Sequence, residues 1–231
     1  TLPTTLTTIE AHAFEACTQL SSIDLKNCRT IGDYVFSSCT ALELDIPASV
    51  TSLGAACLSD IKSVAVATDN PIYEQTPEGV ILTKEKNATL VYVPYNIASS
   101  YKIPEHVTTI GSNAFHGNRE PASITLPETV TTLEPFAFLC NLNLSLTIPK
   151  SVNTICESAF GIRGSGNGQI TLAEGNPNYV QTPDGAILTK GEDATLLYVP
   201  STVDTFTIPE TVTKIGDYAF NWNENITAIT I

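Results

Sequence analysis

Residues Ile208 to Phe220 read Ile-Pro-Glu-Thr-Val-Thr-Lys-Ile-Gly-Asp-Tyr-Ala-Phe, and near copies of this phrase recur from one end of the chain to the other. A unit of this size cannot bury its apolar side alone. Repetition at a short fixed period therefore means that the units stack, each sealing its neighbours. Indexed on the Ile or Leu before the turn, the copies fall at Ile9, Ile31, Leu53, Ile110, Leu133, Ile155 and Ile215. Five residues after each stands Phe14, Phe36, Leu58, Phe115, Phe138, Phe160 or Phe220. The steps are 22, 22, 57, 23, 22 and 60 residues, so two of them contain inserted chain.

Short alternating runs precede the turns: Ile23-Asp24-Leu25, Leu44-Asp45-Ile46, Val64-Ala65-Val66, Ile124-Thr125-Leu126, Leu146-Thr147-Ile148, Ile170-Thr171-Leu172 and Ile229-Thr230-Ile231. Period two with β-branched residues predicts half-buried strands. Coils that all run the same way round must pair these strands in parallel. The Pro that follows several of them (Pro47, Pro127, Pro149, Pro209) cannot donate to a ladder and ends the strand. Val130-Thr131-Thr132-Leu133 and its equivalents predict a second extended edge. The Ala-Phe pairs are expected on short helical or 3₁₀ turns with Phe inward as the plug of each layer.

Three residues past the plug stands Cys17, Cys39, Ile61, Asn118, Asn141, Arg163 or Asn223. Asn can bond unpaired turn backbone and Cys can pack at the same corner, so this column reads as a structural spine.

The long steps contain one module used twice, 106 residues apart. Asn70-Pro71-Ile72-Tyr73-Glu74-Gln75-Thr76-Pro77-Glu78-Gly79 matches Asn176-Pro177-Asn178-Tyr179-Val180-Gln181-Thr182-Pro183-Asp184-Gly185, and both continue through Ile-Leu-Thr-Lys to a Tyr-Val-Pro. A turn, an apolar run, a polar connection and a second apolar run predict a β-hairpin. The inserts run from about residue 67 to 102 and from about 173 to 206, within a single solenoid over 1–231. Neither end carries the polar cap a solenoid needs, which suggests a piece of a longer, processed protein. The Gly-rich run Gly161 to Gly168 reads as a longer corner loop.

These residues carry a family resemblance. The phrase Leu/Ile-Pro-x-x-Val-Thr-x-Ile-Gly-x-x-Ala-Phe-x-x-Cys/Asn, with its Asn-Pro-x-Tyr insert, resembles the BspA-type leucine-rich repeats over essentially the whole chain. The resemblance implies a right-handed leucine-rich-repeat solenoid, a β-rich α/β superhelix of stacked parallel strands with two β-hairpin inserts. It implies a secreted or surface-attached bacterial protein, commonly of gut or oral anaerobes, acting in adhesion to host or matrix proteins or other cells. It supplies no catalytic residues or cofactor to carry over. Leu58, Ile61, Arg163 and a one-residue deletion near Cys28 depart from the pattern locally.

The chain has 24 acidic against 11 basic residues, a formal charge of -13 that disfavours nucleic acid and anionic lipid as partners. No apolar run approaches the roughly 20 residues that span a bilayer. The six cysteines form no C-x-x-C pair and read as buried free thiols. Only Cys17–Cys39 is close enough to weigh as a disulfide. His12, His106 and His116 read as surface histidines at turn positions that are Asp, Thr or Asn in other copies. Asp24, Glu43 and Asp45 converge on neighbouring strands, but too few oxygens surround them for Ca²⁺, and a solvated acidic patch is favoured. Asn87-Ala88-Thr89, Asn143-Leu144-Ser145 and Asn225-Ile226-Thr227 match the glycosylation sequon, idle in a bacterium.

A binding surface is expected on the outward face of the sheet, at Asp24, Glu43, Asp45, Lys102, Thr125, Thr147, Thr171 and Thr207. That face is poor in the Trp, Tyr and Arg that dominate protein contacts. The module residues Tyr73, Tyr92, Tyr179 and Tyr198 are the aromatic alternative, although strict recurrence suggests packing. The leading expectation is a non-enzymatic extracellular module that binds a host, matrix or other cell-surface protein. Glycan binding and an architectural spacer are the other readings. With no nucleophile or acid/base pair recurring, an enzyme is the least favoured class.

Overall fold

The computed structural model describes residues 2–95, 97, 100–116, 123–139, 145–161 and 169–231. The expectations on Asn118, Cys140, Asn141, Asn143, Arg163 and most of the Gly161 to Gly168 run lie outside them. The chain opens with β1 (Thr8–Ile9), β2 (Thr30–Ile31), β3 (Glu43–Ile46), β4 (Ser52–Leu53) and β5 (Ser63–Val66). The first module supplies β6 (Tyr73–Gln75), β7 (Ile81–Thr83) and β8 (Ala88–Tyr92). The middle of the chain holds β9 (Ser100–Lys102), β10 (Val107–Ile110), β11 (Ser123–Thr125), β12 (Thr132–Leu133), β13 (Ser145–Ile148), β14 (Thr154–Ile155) and β15 (Ile170–Leu172). The second module gives β16 (Tyr179–Gln181), β17 (Ile187–Thr189) and β18 (Ala194–Tyr198), followed by β19 (Thr205–Thr207), β20 (Val212–Ile215) and β21 (Ala228–Thr230).

These strands build a solenoid of two parallel ladders. The front ladder runs β3–β5, then β9–β11–β13–β15, then β19–β21. The back ladder runs β1–β2–β4, then β8–β10–β12–β14, then β18–β20. Each coil after the first contributes one strand to each. The alternating runs bury their Ile and Leu and expose the residue between, as in β3 and β13. The segment Ile23-Asp24-Leu25 departs from expectation. It forms no strand; Glu43 N–H of β3 bonds Ser21 O just ahead of it at 3.0 Å, and Leu25 O accepts the Cys28 amide at 2.8 Å.

Among the described residues there is no helix, and the expected helical or 3₁₀ turns are replaced for a physical reason. A helix sends each amide back along its own chain. Here alternate amides leave the coil: His12, Phe14 and Ala16 donate to Asp33, Val35 and Ser37 carbonyls at 2.9, 3.1 and 2.8 Å. The amides between them, of Ala13, Glu15 and Cys17, bond within the coil. This alternation demands left-handed backbone at His12 (φ 62°) and Ala16 (φ 58°), repeated at Tyr34 and Ser38 and again at Ala56 and Asp60. Coils thus approach very closely at the corner. A Cβ on Gly54 would stand 2.4 Å from Gly32 backbone, and one on Gly111 would stand 2.7 Å from the Leu90 carbonyl.

The plugs form an interior file, broken into segments. Phe14 stacks on Phe36 at 5.8 Å, and Phe115 on Phe138 at 5.2 Å. Phe138 meets Phe160 at 6.1 Å, and Phe160 meets Tyr198 edge-on at 5.7 Å. The second module therefore extends the file with its own Tyr. Phe14 and Phe220, in the first and last coils, are only half-buried.

The modules are more than hairpins. Each folds as three antiparallel strands, β6–β7–β8 and β16–β17–β18, and the third strand joins the back ladder. Their side chains close the ladders below. Gln75 accepts Val66 N–H at 3.2 Å and donates to Val64 O at 2.9 Å, as a neighbouring strand would. The Tyr73 hydroxyl accepts Leu53 N–H at 3.0 Å. Gln181 does the same for Leu172 and Ile170, and Tyr179 for Ile155.

Candidate binding surface

The expected face is solvent-exposed at every position named: Asp24, Glu43, Asp45, Lys102, Thr125, Thr147, Thr171 and Thr207. Strand register brings part of it together. Lys102, Thr125, Thr147 and Thr171 follow one another across β9, β11, β13 and β15, beside a row of Ser100, Ser123 and Ser145. A shallow groove of about 370 Å³ lies along this row. On β19 and β21, Thr207 and Thr230 hydroxyls meet at 2.9 Å. Lys102 pairs with Glu105 at 3.2 Å.

The acidic trio is not gathered into one site. Asp24 Oδ1 accepts the Lys26 amide at 3.0 Å, off the ladder. Glu43 pairs with Lys62 at 2.7 Å; that lysine holds the carboxyl below its usual range, and the lysine is raised in turn. Both partners are open to water, where such a pair contributes little. Among the described residues no group of three His, Cys, Asp or Glu side chains could hold a metal ion.

Several expectations are revised. The corner spine includes residues that sequence spacing did not assign to it. Asn223 donates to Pro200 O and Val203 O and accepts the amides of Asn225 and Ile226. Asn70 and Asn176, fully buried, make the same four bonds within the modules. Cys39 fills the equivalent place, its thiol donating to Phe14 O at 3.0 Å. Cys17 is exposed, and the five described cysteines are all free thiols. Tyr73 and Tyr179 are committed to packing and ladder closure, and so are unavailable as an aromatic platform. His116 is half-buried, its pKa lowered by burial, and is not a surface residue.

His12 belongs to a column different from the one expected. Three residues past the indexed Ile or Leu stand His12, Tyr34, Ala56, Asn113, Phe136, Ser158 and Tyr218. Rings therefore gather on the turn edge, where His12 stacks on Tyr34 at 5.1 Å and Phe136 meets Tyr218 at 5.0 Å. The column was readable at fixed spacing but hidden by its varied residue types. A last feature is duplicated with the modules. A groove of about 390 Å³ between β15 and the Pro183-Asp184-Gly185 turn includes Tyr198, and one of about 230 Å³ beside Pro77-Glu78-Gly79 includes Tyr92.

Against known proteins, the family described as BspA type leucine rich repeat region matches in six copies, over residues 1–72, 94–173 and 196–231. The chain belongs to this family. The unmatched stretches are the antiparallel parts of the two modules. Three solved structures share the fold. A leucine-rich cell surface protein from Faecalibacterium prausnitzii has a TM-score of 0.50 at 18% identity, over 97% of this chain and 69% of that one. The pneumococcal vaccine antigen PcpA scores 0.56 at 19% identity, over 100% and 66%. A leucine-rich repeat protein from Eubacterium ventriosum scores 0.54 at 16%, over 97% and 70%. No curated protein matches significantly. Among the described residues, no helix is long and apolar enough to cross a membrane.

Proposed function

We propose that the chain is a non-enzymatic, surface-displayed bacterial module that binds a host, matrix or other cell-surface protein. The observation that carries this reading is the in-register outward row Lys102, Thr125, Thr147 and Thr171 with Ser100, Ser123 and Ser145 beside it. Stacking turns one modest side-chain pattern into a broad flat surface, which suits a macromolecule better than a small substrate. Asp24, Glu43, Asp45 and Thr207 extend it. The family, and one structural relative described as a leucine rich cell surface protein, support the same reading. Pull-down against a panel of extracellular-matrix and host-surface proteins tests it. Capture should be lost in a Thr125→Arg/Thr147→Arg variant, and capture of nothing, or equal capture by the variant, would sink the proposal.

The duplicated module grooves favour a second reading, a neutral glycan. Gln181 and Asp184 line the larger groove, and Gln75, Glu78 and the exposed ring of Tyr95 line the smaller, whereas Tyr198 and Tyr92 are largely packed inside. A glycan array answered by wild type but not by a Tyr95→Ala variant would put this reading first.

A further inference from the structure

The turn-edge rings sit where they are costly. His12 (φ 62°), Tyr34 (56°), Phe136 (57°) and Tyr218 (64°) all hold left-handed backbone. Asn113 meets the same demand at φ 57° and Ala56 at φ 53°. Bulky side chains are rare in this region, where Asn is easily tolerated. Burial does not offset the cost, since Tyr218 is 53% exposed, His12 is exposed, and Tyr34 and Phe136 are half-buried. An uneconomical residue left in water marks a candidate contact.

The rings also connect. Beyond the His12–Tyr34 stack, the Asn113 side chain lies beside the Tyr34 hydroxyl. Phe136 then meets Tyr218 edge-on. Carboxylates accompany the rings along the turn: Glu15 bonded to His12, Asp33 beside Tyr34, and Asp217 next to Tyr218. Burial raises the Tyr34 pKa, and the charges of Asp33 and Glu15 raise it further. Lys214, the cation on this edge among the described residues, is already tied to Glu157.

We propose that this ridge docks an extended, positively charged segment of a partner protein. Its Arg or Lys side chains lie on the faces of Tyr34 and Tyr218 and against Glu15, Asp33 and Asp217. Cation–π attraction and carboxylates of one sign select for that chemistry, and a chain of formal charge -13 steers it inward. Tyr34 lies within electrostatic reach of both Asn113 and Tyr218, so one short extended segment can meet both rings. This surface is separate from the sheet face and goes beyond the function proposed above.

The test is fluorescence polarisation with a labelled decapeptide of alternating Arg and Ser, and its Glu–Ser counterpart as control. The Arg peptide should bind, and binding should weaken as salt rises. A Tyr34→Asn/Tyr218→Asn variant should bind at least tenfold more weakly, while Tyr218→Phe stays within about twofold. Asn suits left-handed backbone, so the double variant should melt no lower than wild type and its loss of binding cannot be laid to unfolding. Equal binding of the Glu peptide, undiminished binding by the double variant, or full competition by neutral dextran each overturns the proposal. The sheet-face variant Thr125→Arg/Thr147→Arg should bind the peptide unchanged. Loss of peptide binding in that variant alone would move the site to the sheet, and a failed matrix pull-down with intact peptide binding would count only against the sheet-face reading.

Discussion

Asn70, Asn176 and Asn223 each join two carbonyls of one coil to two amides of their own, so one side chain satisfies four backbone groups at a corner. At Asn70 and Asn176 these groups are largely shut away from water, where each orphan is expensive. Asn70→Ala should therefore destabilise by about 2–4 kcal/mol, read as a lower urea midpoint, while Asn225→Ala at an exposed site should cost far less. An equal effect of the two would refute the spine. Cys57 makes a different point. Burial pushes its thiol from 9.0 up to about 12, with the Asp33 charge adding to the rise. A folded pKa above the unfolded one gives stability that is complete below pH 9 and lost as pH climbs toward 12. Urea midpoints should fall across that window, and Cys57→Ala should flatten the fall. With a thiol reagent at pH 8, exposed Cys17 should label before Cys57 or Cys39.

At the scale of the element, the modules matter most. Gln75 and Gln181 stand in for a missing strand on the front ladder, and Tyr73 and Tyr179 close the back ladder. Tyr179→Phe removes only an oxygen, leaving Ile155 N–H without its acceptor. Its amide should exchange at least tenfold faster, with amides in β2 unaffected; no change at Ile155 would mean the hydroxyl is incidental. Strands were legible in the sequence because β-branched residues alternate with polar ones, and the layer plugs because Phe keeps its spacing. The turn was misread for an instructive reason. Ala-Phe within a short polar stretch looks helical locally, whereas its conformation is set by amides bonding to the next coil, a partner some 21 residues away in sequence. The first strand of each module was likewise concealed, because β6 and β16 are three residues long and run from a Tyr to a Gln whose roles depend on what they touch.

For the molecule as a whole, the buried residues divide into a first cluster around Phe36, a central one around Phe115 and Phe138, and a small last one around Leu196 and Phe206. Stability in a stack is a sum of local terms, so opening need not be all-or-none. The small cluster should open first, giving residues of β19 to β21 the lowest exchange protection among the strands. Uniform protection from β1 to β21 would contradict this. The candidate surface was legible only in part. The sheet face follows from strand alternation, which places Thr125 and Thr147 outward by parity alone. The ridge does not, because its column mixes His, Tyr, Ala, Asn, Phe and Ser, and no composition rule ties them together. The fixed spacing places them in line, and the left-handed backbone that six of the seven hold marks the position as special.

Where Gln75 and Tyr73 stop the ladders, the coils below are finished without help from the coils above. Three coils and a closing module thus form the larger step by which the chain repeats itself. Its copying would lengthen the molecule in whole steps and leave every strand in register, while point changes outside the closing residues could diversify one such step without disturbing the next.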